Sequence, residues 1–145
     1  MLSFNRKTEY ALIAIEHMAR KKIETLEGGA SEQLVTSARE VAEHYQIPLS
    51  LMAKVFQQLA AKGLVKSVHG YRGGYLLARD LDEVSVADVA EIFEGPVAVT
   101  DCLKEERITC PQWDGCRIRH PLHSLNYRIY HMLQQTSLAE LTQAH

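Results

Sequence analysis

Cysteine is scarce in this chain of 145 residues, and the little there is lies in one place. Three cysteines fall within fifteen residues, and the other 130 residues contain none. An odd number of thiols cannot all pair, and acidic residues interrupt the apolar stretch near the start, so no secretory signal is expected. A disulfide framework is therefore a poor interpretation, and we expect a reducing, cytoplasmic location.

Long apolar runs and a strong charge of one sign are also missing. No run approaches the length of a membrane span, so we expect no membrane partner. The net charge of −2 conceals an asymmetry: residues 1–78 carry ten Lys and Arg against seven Asp and Glu, and residues 79–145 carry six against eleven. The first part is thus +3 and the second −5. This is weak evidence for a nucleic-acid partner of the first part.

The cysteines follow the pattern Cys102-x₇-Cys110-x₅-Cys116. Thiolates are soft ligands that bind zinc or iron–sulfur clusters. The stretch is polar and rich in turn residues, which is typical of a loop and not of a buried strand or helix. Three cysteines lack one of the usual four ligands, so the fourth must be another side chain or an exogenous group. We favour a metallocentre on a loop over three ordinary buried thiols.

The first part of the chain predicts helices followed by a hairpin. Apolar periodicity predicts a helix over residues 7–22, and a polar linker follows over 24–36. Ser37 and Glu40 form a capping-box pattern before a short helix, and after a proline break a second helix runs to Gly63.

Alternating residues on both sides of a glycine-rich turn then predict a β-hairpin over residues 64–78. The order helix, helix, hairpin indicates a mainly α fold with a winged helix-turn-helix, although the helices alone fit a plain helical hairpin equally well. In a winged helix the second helix enters the major groove of DNA, and His69 and Arg72 of the hairpin lie near phosphate or the minor groove.

The second part predicts two more helices. Ser85 and Asp88 cap a helix that ends at residue 95, and Pro121 begins another that runs to residue 134. The apolar stripe of this last helix is either plain core or a surface that pairs with a second chain. Its members are Leu122, Leu125, Ile129, Met132 and Leu133. We expect a DNA-binding domain over 1–95, a cysteine loop over 96–120, and a dimerisation helix with a terminal turn over 121–145.

Four segments together resemble the bacterial winged-helix iron–sulfur regulators of the Rrf-two family, which include the Isc, Suf and nitric-oxide-sensing types. They are TEYAL near the start, GLVKSVHGYRGGYLLAR, VADVAEIFEGPVAVTDC and the three cysteines. The resemblance covers residues 1–141. It implies a homodimeric transcriptional regulator, most often a repressor, that binds double-stranded DNA and carries a [4Fe-4S] or [2Fe-2S] cluster. It implies neither an enzyme nor a small-molecule substrate.

The resemblance also implies the cluster ligands. Cys102, Cys110 and Cys116 match the three cysteine ligands of the family. Arg119 occupies the position of the Isc-type histidine, whereas Glu9 matches the acidic ligand that the nitric-oxide sensor supplies from its other subunit. Glu9 is therefore our first choice for the fourth ligand, and His120 is the second.

For DNA, the resemblance places Ser50 and Lys54 where the second helix reaches base edges. Arg39, Lys66 and Arg72 are expected to contact phosphates, which position a protein without specifying sequence.

Two other functions compete with this reading. The same cysteine loop would also suit zinc, either structural or sensory, in a winged-helix regulator. A Cys116–His120 nucleophile would make an enzyme, but no oxyanion element accompanies that pair.

Overall fold

The computed structural model describes residues 2–29, 34–104 and 110–143. Strands β1 (Val65–Val68) and β2 (Gly74–Leu77) form an antiparallel hairpin. The helices are α1 (Arg6–Glu27), α2 (Ala38–Tyr45), α3 (Leu49–Ala61), α4 (Val86–Glu94), α5 (Arg119–Gln135) and α6 (Leu138–Thr142). The hairpin follows α3 directly, so the mainly helical winged helix-turn-helix is confirmed. In the described ranges no helix combines the length and the apolar character that crossing a membrane requires.

The first helix is longer than the sequence pattern predicts. It continues to Glu27, so the prediction that the linker begins at residue 24 was wrong. Asn5 caps its start by accepting a hydrogen bond from the backbone N–H of Thr8 at 2.9 Å. Near its end, the Thr25 hydroxyl donates to the carbonyl of Lys21 at 2.9 Å, so this polar side chain finds its partner within the helix.

The pair of helices α2 and α3 has a defined start, turn and end. Ser37 accepts a hydrogen bond from the backbone N–H of Glu40 at 3.1 Å, which begins α2. Gln46 ends α2 with a φ of 56°, in the left-handed region, and the buried Ile47 follows. Gly63, with a φ of 77°, ends α3 where the sequence predicts it.

Helix α3 lies at the centre of the core. Its inward residues Met52, Val55, Phe56 and Leu59 are fully buried, and α1 and α2 pack against it. Leu138 from α6 is equally buried. The core of the DNA-binding domain therefore includes a residue from the 121–145 segment.

A short extended segment braces the hairpin on its outer edge. Thr36 and Tyr75 exchange backbone hydrogen bonds of 2.9 and 2.8 Å, which pair residue 36 with β2. The Tyr75 ring in turn stacks on Phe56 of the core, with 4.6 Å between ring centroids. At Gly74 a Cβ would lie 2.6 Å from Val35 Cγ1, so only glycine fits. The hairpin is thus held in a fixed position beside α3.

Candidate DNA-binding surface and cysteine segment

The outward side of α3 carries the residues predicted to read bases. Ser50 and Lys54 are exposed and lie four positions apart, on one face of the helix. Gln57 is exposed and continues the same face, a residue that sequence reasoning missed although its spacing of three from Lys54 could have shown it. All of α3 is described, and no side chain accepts from the N–H groups at its N-terminus after Pro48. Such an end suits a phosphate.

The residues predicted to contact phosphate are also exposed. Arg39 lies in the first turn of α2, where its guanidinium is 3.9 Å from the Glu43 carboxylate. Lys66 lies on β1, and His69 and Arg72 lie in the turn of the hairpin. Residues 44–79 contain no Asp or Glu at all, but five Lys and Arg. The helix-turn-helix and hairpin therefore present an uninterrupted basic stretch, as a polyanion partner requires.

A network of partly buried hydrogen bonds connects α2 to α1, and sequence reasoning missed it. The predicted capping box is only half formed, because the Glu40 carboxylate turns to α1 and does not return to Ser37. It accepts hydrogen bonds from Lys21 Nζ at 2.8 Å and from His17 Nε2 at 2.6 Å. The other ring nitrogen of His17, Nδ1, lies 3.1 Å from the Tyr45 hydroxyl.

This network sets the ionisation of Glu40. Partial burial opposes the charged form, but the hydrogen bonds and charges of Lys21 and His17 outweigh it and lower the pKa of Glu40 below its ordinary value of 4.5. Lys21 Nζ also donates to the Val35 carbonyl at 3.0 Å, beside the brace of the hairpin. Glu40 thus joins α2 to α1, and Lys21 extends the contact to Val35 beside the hairpin.

Glu40→Gln is expected to lower the free energy of unfolding by about 1 kcal/mol at neutral pH, since the charge-assisted bonds weaken. A carboxylate with a lowered folded pKa stabilises above its unfolded pKa, and that contribution is lost as the pH falls through the folded value. The difference between variant and wild type should therefore shrink below pH 4.5. Urea titrations across pH measure this difference in the free energy of unfolding. The matched control is Glu43→Gln: the Glu43 side chain is 72% exposed, so its replacement should change that free energy by about a few tenths of a kcal/mol or less.

The three cysteines are free, half-buried thiols. Cys102 lies in a single helical turn, Asp101–Leu103, with its sulfur 3.1 Å from the Thr100 hydroxyl. Cys110 Sγ donates to Gln112 Oε1 at 3.5 Å, and Cys116 follows a second such turn, Trp113–Gly115. All three therefore lie in the segment between α4 and α5 that the sequence predicts as a loop.

A pocket of about 690 Å³ opens beside the first cysteine. Cys102 and His120 both line it, as do Trp113 and Arg119. The Arg119 guanidinium stacks on the Trp113 ring at 4.1 Å. Arg119 thus serves as part of the pocket wall, at the position where the Isc-type ligand would stand.

The donors suit a metal centre in chemistry but are not gathered into one. Across residues 2–29, 34–104 and 110–143, no three His, Cys, Asp or Glu side chains lie close enough to hold a metal ion. Three free thiols in one segment, with the imidazoles of His120 and His123 in the pocket beside Cys102, are nevertheless a donor set that zinc and iron–sulfur clusters take. The residues fit such a group by type, and binding would have to draw Cys110 and Cys116 toward Cys102.

Glu9 lies on a different element from the cysteines of its own chain. It sits in the first turn of α1, where its carboxylate accepts from Arg6 at 3.2 Å. The same helix end is bonded to the end of α4: Asn5 Nδ2 donates to the Phe93 carbonyl at 3.1 Å, and Thr8 Oγ1 donates to Glu94 at 2.6 Å. The start of α1 is therefore tied to the point where the chain leaves for the cysteine segment.

Asn126 of α5 anchors the beginning of that segment, and local sequence patterns gave no sign of it. Its Oδ1 accepts from the Val99 N–H at 2.9 Å, and its Nδ2 donates to the Val97 carbonyl at 3.0 Å. One amide side chain thus satisfies two backbone groups, the Val99 N–H and the Val97 carbonyl. Asn126 positions Cys102, which follows three residues after Val99.

Asn126→Ala is expected to release this clasp. Loss of two hydrogen bonds costs about 1–2 kcal/mol locally, which raises the open population of the segment about tenfold. Thiol labelling of Cys102, followed by peptide mass spectrometry, should speed up by that factor while Cys116 labels as before. Asn126→Asp keeps the acceptor for Val99 and should fall between the two. Unchanged labelling of Cys102 in the alanine variant would contradict the positioning role.

Comparison with known proteins assigns the chain to a family. The Rrf2 family model, described as an iron-dependent transcriptional regulator, matches residues 4–144. The regulator IscR of Photorhabdus laumondii is 36% identical over 102 residues, which are 70% of this chain and 61% of that protein. The regulator NsrR of Shouchella clausii is 27% identical over 107 residues, 74% of this chain and 72% of that one.

A solved structure supports the fold. CymR of B. subtilis, described as the global cysteine regulator, superposes with a TM-score of 0.73 at 22% identity, covering 100% of this chain and 99% of that one. At this identity the likeness concerns the fold alone. The family match, the winged helix and the basic stretch agree that the chain regulates transcription by binding DNA and is not an enzyme. The chain belongs to the Rrf2 family of transcriptional regulators.

Proposed function

We propose that this protein is a homodimeric, cytoplasmic repressor that senses iron, redox state or nitric oxide through an iron–sulfur cluster on Cys102, Cys110 and Cys116. The observation that carries the proposal is the placement of three free thiols between the DNA-binding domain and α5. The description of the family as iron-dependent supports it. When bound, a cluster would hold these three thiolates together, and oxidants, nitric oxide or iron shortage would release them by destroying it.

A series of hydrogen bonds and packed helices connects the cysteine segment to the DNA-binding surface. The segment that carries Cys102 is clasped to α5 by Asn126 and leaves directly from the end of α4. The end of α4 is bonded to the start of α1 through Asn5 and Thr8. Because α1 packs on α3, a change in the cysteine segment would shift the recognition helix.

We further propose that α5 pairs with α5 of a second copy. All seventeen residues of α5 are described and none is buried. Leu125 and Met132 lie seven positions apart on one side of the helix and are 43% and 60% exposed, which is unusual for large apolar side chains. On its other side Tyr130 faces Glu91 of α4, whose carboxylate raises the pKa of that tyrosine by its charge and as a hydrogen-bond acceptor. A second copy would cover the open side and set two recognition helices against one duplex.

The fourth ligand has two candidates. Glu9 of the second copy is our first choice, and it would have to exchange its contact with Arg6 for the metal. His120 is the second choice, and it lines the same pocket as Cys102, as does His123. If Glu9 is the ligand, Glu9→Ala destabilises the cluster and His120→Ala does little. The reverse pattern would assign the ligand to the same chain.

Salt dependence tests the DNA-binding function. Arg39, Lys66 and Arg72 from two copies neutralise about six phosphates, so log K should fall with log salt at a slope of about −5. The probe is the duplex that wild-type protein selects from a randomised library. Lys66→Ala should weaken selected and scrambled duplexes alike, whereas Ser50→Ala and Lys54→Ala should change the selected sequence. Salt-independent binding, or no selection of any duplex, would overturn the proposal.

A further inference from the structure

The pocket at the beginning of α5 contains two cationic side chains and two imidazoles, those of Lys104, Arg119, His120 and His123. Among the residues that the structure describes, no Asp or Glu lines this pocket. Asp101 pairs with Lys104 at 3.4 Å, but both side chains are largely exposed, so water weakens that pair. The lining is therefore positive, and within the described residues its charge has no counterpart inside the pocket.

Arg119 is held in this pocket by packing and not by an acidic partner. Its guanidinium stacks on the Trp113 ring at 4.1 Å, which fixes its position in the wall. Its Nη1 atom is buried and, in the described part of the chain, has no hydrogen-bond partner. A guanidinium that has lost part of its hydration favours a bound anion, which compensates that loss. Its planar fork suits carboxylates and phosphates.

The rest of the pocket wall indicates the kind of anion. Helix α5 begins at Arg119 after Ile118, whose side chain cannot accept a hydrogen bond, so the positive end of the helix dipole is not neutralised there. Pro96 and Leu103 supply apolar wall, and the Trp113 ring is 47% exposed. A volume of about 690 Å³ suits a small organic molecule better than a bare ion.

We propose that this pocket binds a small organic anion, a carboxylate or a phosphate ester, with its oxyanion at Arg119 and its apolar part against Trp113. The site is additional to the proposed function and requires no metal at the cysteines. Cys102 lines the pocket, whereas Cys110 and Cys116 do not, so the ligand covers one thiol of three. Because the thiols are separate in this arrangement, a bound anion favours it over one that gathers them around a metal.

Trp113 is the only tryptophan of the chain, so its fluorescence reports on the pocket directly. The full chain, reduced and freed of metal by a chelator, is titrated at constant ionic strength with phenyl phosphate and with benzoate. One of these anions or both should change the fluorescence with saturation, and their relative affinities identify the head group, whereas uncharged benzyl alcohol should have no effect. Arg119→Gln should weaken binding about tenfold, because charge-assisted hydrogen bonds are lost. The exposed Arg117 does not line the pocket, so Arg117→Gln should bind as wild type does.

Alkylation of Cys102 gives a second readout that does not depend on the stacking of Trp113. At an anion concentration of ten times Kd, iodoacetamide should modify Cys102 about tenfold more slowly, with unchanged rates at Cys110 and Cys116. His123→Gln leaves Arg119 in place and should weaken this protection several-fold, which separates a lost contact from a lost fold.

The outcomes distinguish this site from the proposed function. Fluorescence and Cys102 labelling that respond to neither anion, or that respond equally in Arg119→Gln, would overturn the anion site and leave the DNA-binding and metal proposals standing. A chain that binds the anions as described but takes up no iron would keep the site and overturn the iron–sulfur proposal.

Discussion

Replacing any one of Cys102, Cys110 or Cys116 with alanine is expected to bleach the protein and remove its iron. Wild type purified without oxygen should be brown, with visible absorption and matching counts of iron and acid-labile sulfide. Each thiolate is one of only four ligands, so its loss leaves a corner of the cluster to solvent. The expected effect is complete loss and not a graded one, which makes it the largest that the sequence and structure predict.

The control for this experiment changes a residue next to Cys102 and leaves all three cysteines in place. Thr100→Val removes the hydroxyl that lies 3.1 Å from Cys102 Sγ but leaves the thiol in place, so the variant should stay brown. Colourless wild-type protein with stoichiometric zinc would contradict the iron–sulfur proposal and support a zinc site in the same segment. Zinc with Cys₃His ligation would also make His120 the expected partner.

Charges placed on α5 are expected to separate the dimer and abolish tight DNA binding. The double variant Leu125→Glu and Met132→Glu puts two carboxylates on the exposed apolar side of a helix that contains no buried residue. Burying them against a second copy would cost several kcal/mol, so the monomer should prevail at micromolar concentration. A monomer keeps only about three of six phosphate contacts, and affinity should fall at least about a hundredfold.

On the same sample, sedimentation measures the mass of the protein and fluorescence anisotropy measures its affinity for DNA. Leu26→Glu is the matched control, since Leu26 is a large apolar residue 67% exposed on α1 and away from α5. It should leave both mass and affinity unchanged. A double variant that remains dimeric would show that the second copy, if any, binds elsewhere.

Local signals in the sequence were enough for most of the fold. Ser85 and Asp88 bond reciprocally at the start of α4, and Gly63 ends α3, because caps are decided by residues three or four positions apart. The linker beginning at residue 24 was wrong because a polar, glycine-flanked stretch resembles a loop, although here it continues the helix to Glu27.

The interactions that sequence reasoning missed connect residues far apart in the chain. Glu40 turns from its cap to Lys21, nineteen positions away, and Asn126 clasps Val99, twenty-seven positions away. Neither leaves a periodic pattern. The spacing of the cysteines likewise predicted the type of ligand, but nothing in the spacing fixes how three thiols come together.

We expect the state of the cysteine segment to set the affinity for DNA, and one titration measures that coupling. Anisotropy of the library-selected duplex is measured with brown, anaerobic protein and again after the same sample has lost its cluster. The two dissociation constants should differ by about 5- to 150-fold, the usual range for coupling between two sites. Equal affinities before and after loss of the iron would contradict the expected coupling.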